Sequence, residues 1–202
     1  MKKIALVLFA LLLSPLTLAA DFVEGTHYTV VSKSSPTKSP EIVEFFSFLC
    51  PACYRFEPLV ADLKKNIPSN VKFNKSHVDF LGGDTGKALS RAFAVASLLK
   101  VEDTINPAIF NAVHVQRRNY ANLDQLRQLF IDNGVSAKKF DGAVKSFMIN
   151  AKVSKMANNT QKFAINGVPT FIINGKYQIN NKSIASAEMF QELVTYLTNK
   201  KG

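Results

Sequence analysis

Cys50 and Cys53 are the residues of this chain whose type and spacing most clearly indicate chemistry. They are its only cysteines, and two residues separate them. A disulfide between them would close so short a loop that it would remove little entropy from the unfolded chain, so it would be a poor structural staple. Thiol–disulfide exchange, in which the bond forms and breaks during turnover, explains the pair better.

The alternative for a CxxC pair is half of a metal site, which needs further thiolate or imidazole ligands. The chain has no second CxxC, and its three histidines, His27, His77 and His114, show no ligand spacing with the cysteines. We therefore expect no metal and no cofactor other than a redox-active disulfide between Cys50 and Cys53.

The residues on either side of the cysteines predict a strand followed by a helix. Glu41 to Phe48 is a short β-branched and aromatic run typical of a buried strand, and Tyr54 to Leu63 has apolar residues at helical spacing. Cys50 then lies at the helix N-terminus, where unpaired N–H groups and the helix dipole favour an anion. Pro51 fits the first turn, because its missing N–H leaves nothing unsatisfied there.

This placement predicts different roles for the two sulfurs. A stabilised Cys50 thiolate is a good leaving group, so a mixed disulfide through it is readily resolved and the reduced protein is favoured. Cys53 lies deeper along the helix and is predicted to be the more buried, resolving thiol. The pair is therefore predicted to oxidise other dithiols.

The first twenty residues have the layout of a secretory signal peptide. Two lysines precede an apolar run from Ile4 to Leu13, and small residues precede Asp21. A transmembrane helix needs about 20 consecutive apolar residues, whereas Ser14 interrupts this run. We expect residues 1–20 to be cleaved during export, and an uncleaved membrane anchor is the alternative.

Composition predicts one compact globule after that cleavage. Removing residues 1–20 would leave 182 residues and, with two lysines and no acidic residue lost, would lower the net charge from +10 to +8. Hydrophobic residues make up 47% of the chain and charged residues 20%, which is too few charges for a disordered polymer. The basic residues are dispersed in pairs, so we expect no nucleic-acid binding. No heptad repeat is present, and a monomer is expected.

The rest of the chain divides into a helical part and a β-rich part. Residues 86–156 lack a convincing strand but have apolar residues at helical spacing. After them, two β-rich runs flank Asn174-Gly175, which is typical of a type I′ hairpin, and Met189 to Leu197 predicts a closing helix. The three helical patterns are Leu89-Ala92-Phe93-Ala96-Leu99, Leu123-Leu126-Phe130 and Phe140-Val144-Phe147.

Three segments together make the sequence resemble the DsbA family of periplasmic disulfide donors, which belongs to the thioredoxin-like superfamily. They are EFFSFLCPACYRFE (Glu44 to Glu57), HVDFLGGDTGKAL (His77 to Leu89) and GVPTFIINGKYQI (Gly167 to Ile179). The resemblance implies an α/β, thioredoxin-like fold with an inserted helical domain. Residues 21–85 and 157–202 would form the thioredoxin-like domain, and 86–156 the helical insertion.

The resemblance also implies roles for two residues far from the cysteines in sequence. Val168-Pro169 is similar to the dipeptide that thioredoxin-like proteins hold with a cis peptide bond facing the active cysteines. In the family this loop offers backbone hydrogen bonds to an extended substrate, so Val168 and Pro169 are expected to bind substrate. A turn proline that begins an edge strand is the alternative reading.

Three charged residues, Glu44, Glu57 and Lys75, match positions that lie beneath the active-site disulfide in the family. Glu44 stands inside an apolar strand, where a lone carboxylate would be costly or protonated unless a partner relieved it. The three residues could relay the Cys53 proton during exchange. A solvated surface pair is the alternative for Glu57 and Lys75.

The dipeptide between the cysteines departs from the family's best-known pattern. Pro51-Ala52 stands where those proteins have proline followed by histidine, and those histidine-bearing DsbA proteins are themselves the standard examples of a strongly acidic cysteine and a strongly oxidising couple. A histidine can donate a hydrogen bond or charge to the thiolate, and Ala52 cannot. We therefore expect a less stabilised Cys50 thiolate and a less oxidising, but still oxidising, couple.

The resemblance implies a periplasmic oxidoreductase that donates its disulfide to reduced secreted or periplasmic proteins. A DsbB-like, quinone-linked membrane oxidase would then reoxidise it. Alternatives within the class are a specialised paralogue serving one client, a reductase or an isomerase. Alternatives from other classes are a chaperone-like binding protein and a metal carrier.

Overall fold

The computed structural model describes residues 21–34, 36–120 and 122–201, so the predicted signal peptide lies outside the described residues. These residues form one five-stranded sheet in the order β1-β5-β4-β2-β3, together with seven α-helices. The strands are β1 Tyr28–Val30, β2 Glu41–Phe46, β3 Lys72–His77, β4 Thr170–Ile173 and β5 Tyr177–Ile179. The helices are α1 Pro51–Asn66, α2 Asp84–Leu99, α3 Glu102–His114, α4 Leu123–Asp132, α5 Ala137–Val144, α6 Phe147–Lys162 and α7 Ala187–Asn199.

The sheet is mixed, and β2 lies between its two long-range partners. β2 runs parallel to β3, which follows it through the crossover helix α1, and antiparallel to β4, which comes from the other end of the chain. Four of the six residues of β2 are buried and the other two are half-buried, so both of its faces are covered. β2 ends just before the cysteines, so the centre of the sheet fixes the position of the active-site turn.

Three apolar clusters hold the helices against the sheet. In one, α1 and α7 pack on one face through residues such as Leu63, Phe171 and Phe190. On the other face, Phe45 packs against Phe163, with ring centroids 5.9 Å apart. The third and largest cluster joins the end of β2 to helices α2 to α6, and Cys50 and Cys53 belong to it. The cysteines therefore lie where the sheet meets the helical segment.

The hairpin between β4 and β5 is the predicted type I′ turn. Asn174 and Gly175 have φ values of 52° and 63°, and Lys176 N–H donates to Ile173 O at 3.0 Å. Asn174 also anchors the turn, because its side chain accepts from Glu41 N–H and donates to the carbonyl of Leu197. The turn thus ties β2 to α7.

The helical segment agrees with the prediction except at its end. The described residues between β3 and β4 form helices and no strand, and they include α3, which no sequence pattern predicted. The expected pairing of Phe147 with Phe140 and Val144 on one helix face is wrong. α5 ends at Val144, Ser146 caps α6, and Phe147 is 81% exposed at the start of α6. Ser146 is a good N-cap, so it interrupts the helical periodicity. None of the helices in the described ranges is long and apolar enough to cross a membrane.

Candidate active site

The strand, the CxxC pair and the helix are arranged as predicted, with Cys50 as the N-cap of α1. A tight turn leads out of β2, in which Cys50 N–H donates to Ser47 O at 3.0 Å. Cys50 keeps an extended backbone, with φ −89° and ψ 112°, and Pro51 occupies the first helical position. The Cys50 sulfur accepts the backbone N–H of Cys53 at 3.1 Å. A sulfur in this position receives the N–H groups that a helix leaves unpaired.

This position lowers the pKa of the Cys50 thiol from 9.0 to about 6. The largest cause is a hydrogen bond from the Cys53 thiol, and the backbone N–H groups of Cys53 and Ala52 and the charge of Arg55 act in the same direction. Burial opposes the shift, but only in part. Cys50 is therefore largely a thiolate at neutral pH.

Cys53 has the opposite character. Its side chain is completely buried, and its pKa is raised, first by the hydrogen bond to Cys50 and then by burial. The one proton that the pair shares therefore resides on Cys53. Both cysteines are free thiols in this structure, and the disulfide between them stays a prediction.

The loop before β4 faces the Cys50 sulfur. The Val168–Pro169 peptide bond is cis, as the resemblance implied. The Cys50 sulfur lies 3.3 Å from Val168 O, and Asn181 Nδ2 donates to Pro169 O at 2.7 Å. Residues 118 positions apart in the chain thus meet at the reactive sulfur.

Glu44, Lys75 and Glu57 form one charged cluster. Lys75 Nζ lies 3.1 Å from Glu44 Oε2 and 2.5 Å from Glu57 Oε1. The side chains of Lys75 and Glu57 are 12% and 27% exposed, so this pair is partly buried and not a solvated surface pair, and the side chain of Glu44 is fully buried. Glu44 and Lys75 are opposite each other in the β2–β3 register, which brings the two charges together.

The cluster holds Glu44 near its midpoint of ionisation at neutral pH. Burial raises the pKa of Glu44 from 4.5 to about 7, although Lys75 opposes the shift. Burial lowers the pKa of Lys75, but the two carboxylates outweigh it and the net shift is upward. The charge of Glu44 is also one of the causes that raise the pKa of Cys53. Glu44 and Cys53 are therefore coupled electrostatically.

Two histidines contact the backbone of the active-site turn. Phe48 N–H donates to His77 Nε2 at 3.1 Å, and Phe48 O accepts from His114 Nε2 at 2.8 Å. Burial lowers the pKa of His77 to about 3, so its imidazole is neutral and can accept. Their spacing in the sequence gives no sign of this role. Within the described ranges, no group of three or more His, Cys, Asp or Glu side chains could hold a metal ion.

Comparison with known proteins agrees with this geometry. The family model described as the DSBA-like thioredoxin domain matches residues 41–194. The chain belongs to this family. It is 38% identical to the thiol:disulfide interchange protein DsbA of Pectobacterium carotovorum subsp. carotovorum and 36% identical to that of Escherichia coli strain K12, in each case over 100% of both chains.

The solved structures show the same fold. DsbA of Proteus mirabilis, in a complex with a non-covalently bound peptide, superposes with a TM-score of 0.83 at 39% identity, covering 90% of this chain and 100% of that one. The chain thus has the thioredoxin-like α/β fold of DsbA, and it is a thiol:disulfide oxidoreductase like the other members of the family.

The first prediction concerns the titration of Cys50. Alkylation of the reduced protein with iodoacetamide, followed over pH by mass spectrometry, is expected to modify one thiol with a midpoint of about 6. The backbone N–H groups at the helix terminus and the Cys53 proton are the reason. The same protein unfolded in urea serves as control. A midpoint in the folded protein near the ordinary value of 9.0 would contradict the assignment.

The second prediction concerns Glu44 and stability. Because its folded-state pKa of about 7 lies above the ordinary 4.5, its contribution to stability is fully present below pH 4.5 and is lost as the pH rises through 7. The free energy of unfolding of the wild type, relative to Glu44→Gln, is expected to fall by about 3 kcal/mol across this range. Urea denaturation of both proteins at a series of pH values measures it. A constant difference would rule out the elevated pKa.

Proposed function

We propose that the chain is a periplasmic dithiol oxidase, which donates a disulfide between Cys50 and Cys53 to reduced exported proteins. The observation that carries the proposal is the asymmetry of the two thiols. Cys50 caps α1 and has a lowered pKa, whereas Cys53 is buried and has a raised one. A pair that is stabilised as thiolate and thiol favours the reduced state and therefore gives its disulfide away.

The reaction consists of two exchanges. A client thiolate attacks the Cys50 sulfur of the disulfide, and Cys53 leaves as a thiolate that takes up a proton. A second client thiolate then attacks the client sulfur of the mixed disulfide, and the Cys50 thiolate leaves. The client loses two electrons and two protons as its disulfide forms. The chain gains both electrons and the one proton that Cys53 holds, and the other proton is released to solvent. The low pKa of Cys50 favours the second step, because a more acidic thiol leaves faster.

Glu44, Lys75 and Glu57 are proposed to relay the proton that Cys53 gains or loses. A group with a pKa of about 7 can both accept and release a proton near neutral pH, and Glu44 meets this condition. Lys75 joins buried Glu44 to Glu57, whose side chain is 27% exposed. The three residues therefore extend from the interior toward solvent.

Val168 and Pro169 are proposed to bind the client backbone beside Cys50. The loop supports this role because both residues are partly exposed and Val168 O is within 3.3 Å of the Cys50 sulfur. The Proteus mirabilis DsbA with its bound peptide supports a peptide-binding surface in this chain as well. An extended client segment would place its cysteine next to the cis dipeptide.

Membership of the family supports proposals for the compartment and the remaining partners. We propose that residues 1–20 direct export and are removed, that a DsbB-like quinone-linked membrane oxidase restores the disulfide, and that the protein acts as a monomer without any other cofactor. The division into residues 21–85 with 157–202 and an insertion of 86–156 is also retained as a proposal. Its boundaries fall inside α2 and α6, so these two helices would join the two parts.

Two cysteine variants test the proposed oxidase. Oxidised wild-type protein is expected to restore the disulfides of a reduced, unfolded client, and Cys50→Ser is expected to lose this activity completely. Cys53→Ser cannot form the internal disulfide and is expected to lose the activity as well. Its Cys50 thiolate is expected to attack a single-cysteine client supplied as its mixed disulfide with glutathione, so that glutathione leaves and a stable Cys50–client disulfide is seen by mass spectrometry, because no Cys53 thiol remains to displace the client. If Cys50→Ser bound clients and the wild type transferred no disulfide, a binding protein would be the better assignment. If Cys50→Ser kept its activity, exchange at Cys50 would be ruled out.

The Pro51-Ala52 dipeptide generates a further prediction. Ala52→His is expected to shift the equilibrium with glutathione about tenfold toward the reduced protein, because the imidazole adds a donor or charge near the Cys50 thiolate. Ala52→Leu is the matched control, since leucine fills a similar volume without a donor. Alkylation in graded glutathione buffers measures both. Equal shifts in the two variants would show that side-chain size, and not hydrogen bonding or charge, sets the potential.

A further inference from the structure

The main-chain groups of Phe48 are held by side chains from two distant elements. Phe48 lies two residues before Cys50, outside β2, and it is completely buried. Its N–H donates to His77 at the end of β3, and its carbonyl accepts from His114 at the end of α3. Since a buried carbonyl needs a donor, the His114 contact is a requirement of this turn.

His114 is itself held in one orientation. Its ring stacks on Tyr54, with centroids 5.1 Å apart and an interplanar angle of 9°, and it also packs at 6.0 Å from the Phe110 ring. Tyr54 follows Cys53 in α1, and its N–H donates to Cys50 O at 3.1 Å. Because a carbonyl only accepts, Nε2 of His114 must carry a proton.

We propose that His114 is a positioning residue for Cys50, acting through the Phe48 carbonyl and the first turn of α1. This inference rests on the proposed exchange at Cys50 and adds to it a residue outside the CxxC motif and the charged cluster. The Nε2–H group of His114 holds the turn that leads into Cys50, because it donates to the Phe48 carbonyl. The His114 ring holds the first turn of α1, because it stacks on Tyr54 next to Cys53.

The contacts of Cys50 explain why this matters for reactivity. The sulfur receives Cys53 N–H at 3.1 Å, and this geometry depends on the extended backbone of Cys50. That backbone is set by the turn in which Cys50 N–H donates to Ser47 O. If the Phe48 carbonyl lost its donor, it would have to turn toward another, and the same peptide plane carries the N–H of Leu49 within the turn. Rotation would therefore weaken the hydrogen bond that stabilises the thiolate.

Helix α3 then has a role at the active site, because it carries His114. His77 belongs to the sheet, whereas His114 belongs to the helical segment. The turn that carries Cys50 is therefore hydrogen-bonded at Phe48 to both the sheet, through His77, and the helical segment, through His114. A shift of α3 relative to the sheet would reach Cys50 through this carbonyl and through the ring contacts of α3 with Phe48 and Tyr54.

Three variants of His114 separate its donor from its ring. His114→Phe keeps an aromatic ring against Tyr54 but has no donor, and His114→Met keeps apolar volume without either feature. His114→Gln restores an N–H that can reach the carbonyl. His27→Phe is the matched control, because His27 packs on Phe22 in a different cluster. The readouts are the pH midpoint of Cys50 alkylation and the equilibrium with glutathione, with thermal unfolding to establish that each variant is folded.

We expect the midpoint of His114→Phe and His114→Met to rise by about half a pH unit or more, with a matching shift of the glutathione equilibrium toward the disulfide. His114→Gln is expected to return most of the wild-type values, and His27→Phe to leave them unchanged. Unaltered midpoints in His114→Phe and His114→Met would overturn the inference, and so would an equal shift in His114→Gln or His27→Phe. A wild-type midpoint near 9.0 would instead count against the proposed function itself.

Discussion

The hydrogen bond from Cys53 N–H to the Cys50 sulfur is the interaction on which the rest of the site depends. It exists only if Cys50 caps a helix while keeping an extended backbone, and this requires a strand that stops at the right residue. β2 meets the requirement because it is fixed on both sides, by β3 and by β4. The sheet, which combines strands from both ends of the chain, thus positions the Cys50 sulfur to accept the Cys53 N–H.

Burying the Glu44 carboxylate where its charge acts on Cys53 has a local cost in stability. Glu44 would be replaced by an apolar residue in a strand selected for stability alone, since burying a charge is unfavourable even with a partner. Lys75 reduces the cost but leaves both oxygens of Glu44 without a hydrogen bond of good geometry among the described residues. Such incompletely satisfied groups are expected where chemistry, and not packing, selected the residue.

The parts of this structure that local sequence patterns could predict are those governed by neighbouring residues, whereas the cis Val168–Pro169 bond and the cluster of Glu44, Lys75 and Glu57 were implied only by the resemblance to the DsbA family. The CxxC helix start depends on Pro51 and the adjacent strand, and the hairpin depends on Asn174-Gly175, whose conformation is local. Phe147 was misplaced because helical spacing continues across Ser146, and periodicity alone does not reveal an N-cap. The contacts of His77 and His114 with Phe48 could not be predicted, since they join residues 29 and 66 positions apart and depend on tertiary packing.

The Cys50 thiolate is stabilised by both backbone and side-chain groups, and only the side-chain groups can be changed by substitution to vary the redox potential. Two of the groups that lower the pKa of Cys50 are backbone N–H groups of α1, and another is the Cys53 thiol. None of these requires a particular side chain at position 52, so the first turn provides a stabilised thiolate whatever residue stands there. The helix start therefore already makes the couple oxidising toward client dithiols, and the dipeptide only adjusts its reduction potential. We therefore expect Ala52 to make the couple less oxidising without making the protein a reductant. We also expect the turn before Cys50, which orients the Cys50 sulfur toward the N–H groups of α1, to influence the direction of exchange more than the dipeptide does.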